Sequence, residues 1–472
     1  MTAKSVTTIE EKENVDNNIA ESNASPETEA AKDFVKSVET KPEENKESSV
    51  EAAKLAALRA KSQAKQQESK MASKIVAKKE RSLSFGVIGT GQGGSRLSES
   101  FYSLGYPAVA INTASMDLKH IQIPDSNKLL LEYGLGGASK DLEIGKAAAE
   151  THRDAIKEII SDKLGESQVF VLCTSLGGGS GAGSVETLVD ILNEVGKPII
   201  VIAALPMSNE DPVTKNNSLE TLSKIAKMAQ TNRVANLVVV DNAKIESIYS
   251  DVSQMNFFDV ANKAIVAPID AFNTLSSLPS ASKALDPMEL TKILLDSPGC
   301  TVYGEMTVTN YQEDTALASA VIDNLDGNLL SQGFDLKQSK YCGVIFAASK
   351  QVWDKLPASS INYAMSMVND RVNCLGVFKG LYTVDTEEDS VKVYSIFSGL
   401  GLPMTRVQSL QKETEGLMAS VKEKAENKAA NMTLDLGKEK TVSDADRIKQ
   451  KIQSKSSTFG KFVGSTVVDR RK

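Results

Sequence analysis

Apolar and polar positions divide the chain into three textures. Residues 1 to about 50 are polar and acidic, rich in Glu, Lys, Asn and Ser and almost free of aromatic residues. Such a segment cannot bury enough apolar surface to offset chain entropy and is expected to be disordered. Residues 51–80, opening Glu51-Ala52-Ala53-Lys54-Leu55-Ala56-Ala57-Leu58, favour helix by propensity but carry little apolar face, which predicts an exposed, basic helix. A core pattern begins at Leu83-Ser84-Phe85-Gly86-Val87-Ile88, and further strands are expected over 108–112, 169–173, 198–203 and 237–240. Helical stretches, among them 143–163 and 183–195, separate them. Strand–helix alternation of this kind predicts a doubly wound parallel α/β sheet.

Beyond about residue 300 the texture is mixed. Strands are expected over 300–308, 341–346 and 391–397, with helices over 314–331 and 361–373. After Arg406 the chain is rich in Lys, Glu and Gln, with a helix expected over 408–427 and a basic end over 447–472. The expected organisation is a disordered segment and linker over 1–82, a nucleotide domain over 83–254, a central helix and connection over 255–283, a smaller α/β domain over 284–406, and a charged tail over 407–472.

Bulk numbers narrow the chemistry. At 472 residues, 41% hydrophobic and 24% charged, most of the chain can build a core, and a net charge of −7 argues against coating nucleic acid with the whole surface. Cys173, Cys300, Cys342 and Cys374 are scattered without a CxxC pair, which argues against zinc or a disulfide scaffold. Neither His120 nor His152 stands beside a candidate nucleophile or acid. No run of about 18 apolar residues and no secretory h-region occur, so a cytoplasmic protein is expected.

Two glycine-rich runs follow predicted strands and open predicted helices. The first, Gly89-Thr90-Gly91-Gln92-Gly93-Gly94-Ser95, satisfies G-x-G-x-x-G, yet the carboxylate that a dinucleotide site wants about 20 residues later is absent around Asn112-Thr113-Ala114. The second, 175–184, holds five glycines and three serines in ten residues. It lacks the lysine of a P-loop, so an anion there must be held by backbone amides, hydroxyls, a helix N-terminus and a bound cation. A tight strand–helix turn is the competing structural role.

Gly177-Gly178-Gly179-Ser180-Gly181-Ala182-Gly183-Ser184 resembles the signature loop of the tubulin/FtsZ superfamily, G-G-G-[TS]-G-[TSA]-G. The first run resembles that family's opening phosphate loop, Ala110-Ile111-Asn112-Thr113 the turn after its second strand, and Gly134-Leu135-Gly136-Gly137-Ala138 with Glu143-Ile144-Gly145 the loop near the terminal phosphate. The order holds over about 84–400. The resemblance implies GTP/GDP and Mg2+ as ligands, the ion held through phosphates and water. It implies nucleotide contacts from Gly91, Gln92, Gly93, Gly94, Ser95, Asn112, Gly136, Gly137, Gly178, Gly179, Ser180, Gly181, Ala182 and Gly183. Glu210 matches the ribose glutamate, Phe258 the base-stacking aromatic and Asn262 the residue that reads guanine. Core packing is the competing role for Phe258. The ribose-loop arginine of FtsZ is absent, with Thr214-Lys215 in that stretch.

By the same resemblance, Asp286 and Glu289 in Ala284-Leu285-Asp286-Pro287-Met288-Glu289-Leu290 match the acids that complete a neighbouring subunit's site and would act on the attacking water. Asp286-Pro287-x-Glu289 also fits a helix N-cap, N1 and N3, and the two roles are compatible. Ala284 stands where the family often has asparagine. A head-to-tail homopolymer with assembly-dependent GTP hydrolysis follows, serving division or the positioning of DNA, phage or plasmid. The basic end offers contact with an adaptor, nucleic acid or a membrane surface, against a plain solvated tail. The rival readings are an NAD-dependent oxidoreductase built on the first glycine run and a nucleotide-binding scaffold without turnover.

Overall fold

The computed structural model describes residues 80–432 except 254–255, 281, 314 and 328–332. The expectations for residues 1–79 and for the basic end at 447–472 therefore lie outside the described residues. Ten strands make one sheet: β1 (Phe85–Thr90), β2 (Ala108–Asn112), β3 (Lys128–Leu130), β4 (Val169–Ser175), β5 (Ile199–Leu205), β6 (Asn236–Asp241), β7 (Cys300–Val308), β8 (Tyr341–Ala348), β9 (Gly376–Thr383) and β10 (Val391–Leu400), in the order β3-β2-β1-β4-β5-β6-β7-β10-β8-β9. From β3 to β6 every pairing is parallel. A single register pair, Leu237 with Cys300, carries the sheet into a mixed part, where β10 is antiparallel to β7 and β8 and β9 runs parallel to β8.

The thirteen α-helices of the described residues are α1 (Gly91–Ser103), α2 (Ser115–Lys119), α3 (Leu142–Thr151), α4 (Arg153–Leu164), α5 (Gly179–Val195), α6 (Pro212–Gln230), α7 (Asn242–Ile248), α8 (Phe257–Leu275), α9 (Pro287–Leu295), α10 (Ala316–Gly327), α11 (Lys350–Trp353), α12 (Ala358–Arg371) and α13 (Met404–Met432). Because successive strand residues point to opposite faces, each buried strand feeds two cores. Phe170 and Leu172 join Ala148, Ile156, Val185 and Leu222 of α3 to α6 on one face. Val169, Val171 and Cys173 join Leu97 and Phe101 of α1 and Ile265, Ile269 and Phe272 of α8 on the other. The second core also takes in Ile345, Tyr394 and Ile396, so α8 packs on both parts of the sheet.

Several elements differ from the sequence reading. The helix expected over 143–163 is two helices broken at His152, whose backbone leaves the helical region at φ −105°, ψ 22°. There Thr151 Oγ1 donates to the Ala147 carbonyl and His152 Nδ1 bonds that of Ala148 at 2.9 Å, side-chain bonds that compete with the helical ladder. Both glycine runs open their helices earlier than a loop reading allows, at Gly91 and Gly179. Strands β3 and β9 went unread: each lies at a sheet edge and is only partly buried over much of its length, β3 being three residues long and β9 having its apolar run broken by Lys379 and Gly380. The folded part also starts before residue 83. Arg81 pairs with Asp270 at 3.2 Å, and Ser82 N–H donates to the Asn273 carbonyl, fastening this segment to α8. No helix among the described residues is long and apolar enough to cross a membrane.

Candidate functional site

The parallel strands end together on one edge, where α/β folds of this kind place their ligands. Two adjoining cavities open there, about 380 Å³ and 170 Å³ in volume. Gln92, Gly93, Ser175, Ala204, Asn242 and Phe258 line both. The larger is walled by the glycine runs and the loop at 137–140, the smaller by Arg96, Leu97, Asn262 and Ile265.

The N-termini of α1 and α5 form the floor. Neither receives a side-chain cap: Thr90 and Gly178 hold the N-cap positions without capping bonds. The Thr90 hydroxyl is instead bonded to Ser184 Oγ at 2.7 Å, and Ser180 Oγ to Thr113 Oγ1 at 2.5 Å. Uncapped amides and the positive end of the helix dipole make such termini anion sites. Glycine is demanded here by close approach. Gly91 has φ +69°, and a β-carbon at Gly181 would lie 2.8 Å from the Thr90 carbonyl oxygen. At Gly179 it would lie 2.7 Å from Ala138 Cβ.

Of the residues expected to meet the nucleotide, Gly91, Gln92, Gly93, Gly137, Gly178, Gly179, Ser180, Gly181, Glu210 and Phe258 line the larger cavity, and Asn262 lines the smaller. Six others do not line either cavity. Gly94 is pressed on β4, where a β-carbon would meet the Cys173 carbonyl at 2.1 Å; Gly183 is pressed on α3, with Leu142 O at 2.3 Å. Ser95 and Ala182 are buried. Asn112 is also buried; its amide donates to Asp117 Oδ2 at 3.1 Å and its carbonyl accepts from Ala114 N–H, which shapes the turn rather than the surface. Gly136 is exposed outside the lining.

Sequence reading missed Arg96, Asp117, Lys140 and Asn242 as lining residues. Arg96 sits over the Phe258 ring, 5.1 Å from its centroid, one turn of α8 from Asn262. Asn242 had a signal: it follows Asp241, which caps α7 by accepting from Ala243 N–H. Lys215, in place of the absent ribose-loop arginine, turns away. It is buried, donates to the Ser208 carbonyl at 2.8 Å and pairs with Glu413 at 3.0 Å. Glu413 also pairs with Arg406, whose Nε meets Asp241 at 2.9 Å. The root of α13 thus holds two loops that wall the cavities, 206–211 and the turn into α7. Burial opposes ionisation of Glu413, but Lys215 and Arg406 hold its carboxyl below the ordinary range.

Asp286 and Glu289 lie outside both cavities, at the start of α9. They form a capping box: Glu289 N–H donates to Asp286 Oδ1 at 2.8 Å and Asp286 N–H to Glu289 Oε2 at 3.2 Å. Tyr382 fixes the approach, its hydroxyl donating to the Leu285 carbonyl at 2.8 Å and accepting from Leu285 N–H at 3.0 Å. Burial, then the nearby Glu289 and Asp286, raise the Tyr382 phenol above its usual value.

Residues 84–250 match the family model of the Tubulin/FtsZ family, GTPase domain, and residues 271–411 that of the Tubulin/FtsZ-like protein TubZ-like, C-terminal domain. The chain is 27% identical over 324 residues to a tubulin-like protein CetZ of Pyrococcus horikoshii, covering 66% of this chain and 85% of that one. It is 24% identical over 388 residues to a tubulin-like protein TubZ of Bacillus cereus, covering 75% and 87%. The fold is similar to that of TubZ from Bacillus thuringiensis serovar israelensis in a GTPγS-form protofilament, with a TM-score of 0.67 at 23% identity over 76% of this chain and 96% of that one. Both models fall on the two parts of one sheet, in register with the glycine-floored cleft, and the oxidoreductase reading is not favoured. The chain belongs to the tubulin/FtsZ superfamily of filament-forming GTPases, alongside TubZ and CetZ.

Proposed function

We propose that this chain binds GTP in the cleft and hydrolyses it on assembling head to tail into filaments. The observation that carries the reading is the pairing of two uncapped, glycine-built helix N-termini with a slot containing Phe258 and Asn262. The amides of 91–93 and 178–181 would hold the phosphates, Glu210 the ribose, Phe258 the base face and Asn262 its polar edge. Glu210 is already oriented, its carboxylate accepting from Met207 N–H at 3.1 Å.

Mg2+ fits this site as an ion carried by the nucleotide. No group of three or more His, Cys, Asp or Glu among the described residues forms a metal site, and Mg2+ favours phosphate oxygens, water and one or two carboxylates. Asp117, which lines the larger cavity, is the carboxylate that would hold it. When bound, Mg2+ neutralises phosphate charge.

Asp286 and Glu289 are the acids assigned to a second copy's cleft, where a carboxylate would orient and deprotonate the attacking water. Their place outside the cleft of their own chain supports action in trans. A DNA-positioning role is favoured over division by the match of residues 271–411 to a TubZ-like C-terminal domain, since one TubZ of similar fold is a plasmid-segregation protein.

Phosphate release and sedimentation with GTP, beside electron microscopy, test this. Filaments that pellet with GTP and release phosphate, and a Glu289→Ala variant that pellets without release, are the expected results. Unchanged release from Glu289→Ala would remove the catalytic assignment. Filaments without any release from the wild type would make the protein a non-hydrolysing scaffold.

A further inference from the structure

Lys140 stands in the loop between β3 and α3, on the rim of the larger cavity. Ser139 and Lys140 are consecutive non-glycine residues in the left-handed region, at φ 45° and 64°. That conformation persists only where neighbours hold it. Here Asn217 Nδ2 donates to the Lys140 carbonyl at 2.7 Å, and Asp141 N–H donates to the Ala138 carbonyl at 2.8 Å while its side chain caps α3. With its backbone fixed, the lysine reaches across to Asp211 at the start of α6.

The two oxygens of Asp211 have separate tasks. Oδ1 accepts from Val213 N–H at 3.1 Å and Thr214 N–H at 3.0 Å, capping α6. Oδ2 takes Lys140 and the Thr214 hydroxyl. Burial opposes ionisation, but Lys140 and the Thr214 bonds keep this carboxyl well below the usual range. Both partners of the ion pair are nearly half exposed, so the pair is weak and exchangeable.

Lys140 is also the one lysine or arginine among the described residues that line the larger cavity; the other charged groups there are Asp117 and Glu210. Lys215 is turned onto Glu413, and the glycine runs contain no lysine. A polyphosphate in this cavity therefore meets a single cationic side chain.

We propose that Lys140 is the cation that binds the terminal phosphate of a nucleoside triphosphate, and that Asp211 is its resting partner, displaced when the triphosphate enters. The inference rests on the guanine-nucleotide reading above. A doubly charged phosphate competes better for the ammonium than a half-exposed carboxylate does, and Asp211 keeps its helix cap after the exchange. The exchange discriminates triphosphate from diphosphate, because only the former offers the group that draws Lys140 away.

The test is calorimetric titration of the full chain with GTPγS and with GDP. Lys140→Ala is expected to weaken GTPγS about tenfold or more, the scale of a charge-assisted hydrogen bond, while GDP changes by less than about twofold. Lys140→Arg should recover most of the loss. Asp211→Asn keeps the capping oxygen and removes the competitor, so it should strengthen GTPγS by about twofold to fivefold, the scale of an exposed ion pair, and leave GDP unchanged. The double variant should resemble Lys140→Ala. Thermal unfolding of all four should stay close to wild type. Equal weakening of both nucleotides by Lys140→Ala, no weakening at all, or weaker GTPγS binding by Asp211→Asn would each overturn the inference while wild-type binding still stands. A wild type that binds neither nucleotide overturns the guanine-nucleotide reading and this inference together.

Discussion

The N-terminus of α5 and that of α9 solve the same problem in opposite ways. Each helix must satisfy amides that have no intrahelical partner. At α9 they are satisfied within the chain, by the reciprocal capping box of Asp286 and Glu289 behind Pro287. At α5 the N-cap is Gly178, no side chain caps the helix, and the hydroxyl of Ser180 in its first turn is bonded to Thr113. One terminus is closed by its own residues and presents acids; the other is left open and presents amides to a cleft. The comparison teaches that an unsatisfied terminus is informative when its neighbours could have been caps and are bonded elsewhere. Asp141, Asp211 and Asp241 cap α3, α6 and α7 around the same cleft, so aspartate was available to this fold.

The largest effect should come from separating the two roles of Glu289. Glu289→Gln keeps a capping-box side chain and removes the acid. It should leave thermal stability near wild type and lower phosphate release by about a hundredfold or more. Glu289→Ala should add a loss of about 1 kcal/mol in stability through the broken cap. Stability lost equally in both, with turnover intact, would leave α9 with a structural role only.

Closing α5 from inside is the complementary break. Gly181→Ala places a methyl group against the Thr90 carbonyl, an overpacking of about 1–3 kcal/mol. Denaturant unfolding should report that loss, and nucleotide affinity should fall about tenfold or more as the two termini move apart. Gly178→Ala, whose β-carbon would meet nothing within 4 Å, should be tolerated in stability, which makes it the control.

A third measurement asks whether the cleft walls depend on α13. Arg406→Ala leaves Asp241 and Glu413 without their shared partner, and Glu413 with Lys215 alone. Breaking a largely buried pair of this kind costs about 3 kcal/mol, and the turn carrying Asn242 should loosen, read as faster amide exchange over 206–211 and 241–243.

The smallest expected effect is in acid. Asp211 and Glu413 titrate below their ordinary values in the folded chain. Groups with depressed folded values stabilise the protein fully above their unfolded values, near pH 4 to 5, and lose that contribution as pH falls through the folded ones. The melting temperature should therefore drop below about pH 4.5, and Glu413→Gln should flatten part of that drop.

The buried strands were legible because each is a short, continuous apolar run between polar segments: those expected over 108–112, 169–173, 198–203 and 237–240 are found at 108–112, 169–175, 199–205 and 236–241. The edge strand at 376–383 was not, since an edge is only half buried and Lys379 and Gly380 interrupt its pattern. The box at Asp286 and Glu289 was legible because a cap is local, complete within four residues. Asn112 and Gly183 looked like ligand residues by motif, yet contact with Asp117 and with α3 turned them to support.

The sequence by itself therefore determined what depends on near neighbours: the alternation of strands and helices, the glycine-dense helix start, the cap at Asp286 and the family. Tertiary structure alone decided which side of each glycine faces the cleft, that Lys215 is spent on Glu413, and that Lys140 and Asp211, 71 positions apart, meet across its mouth. Those outcomes depend on close packing between elements far apart in the chain, where a contact of about 3 Å is fixed by the whole sheet and by no local pattern.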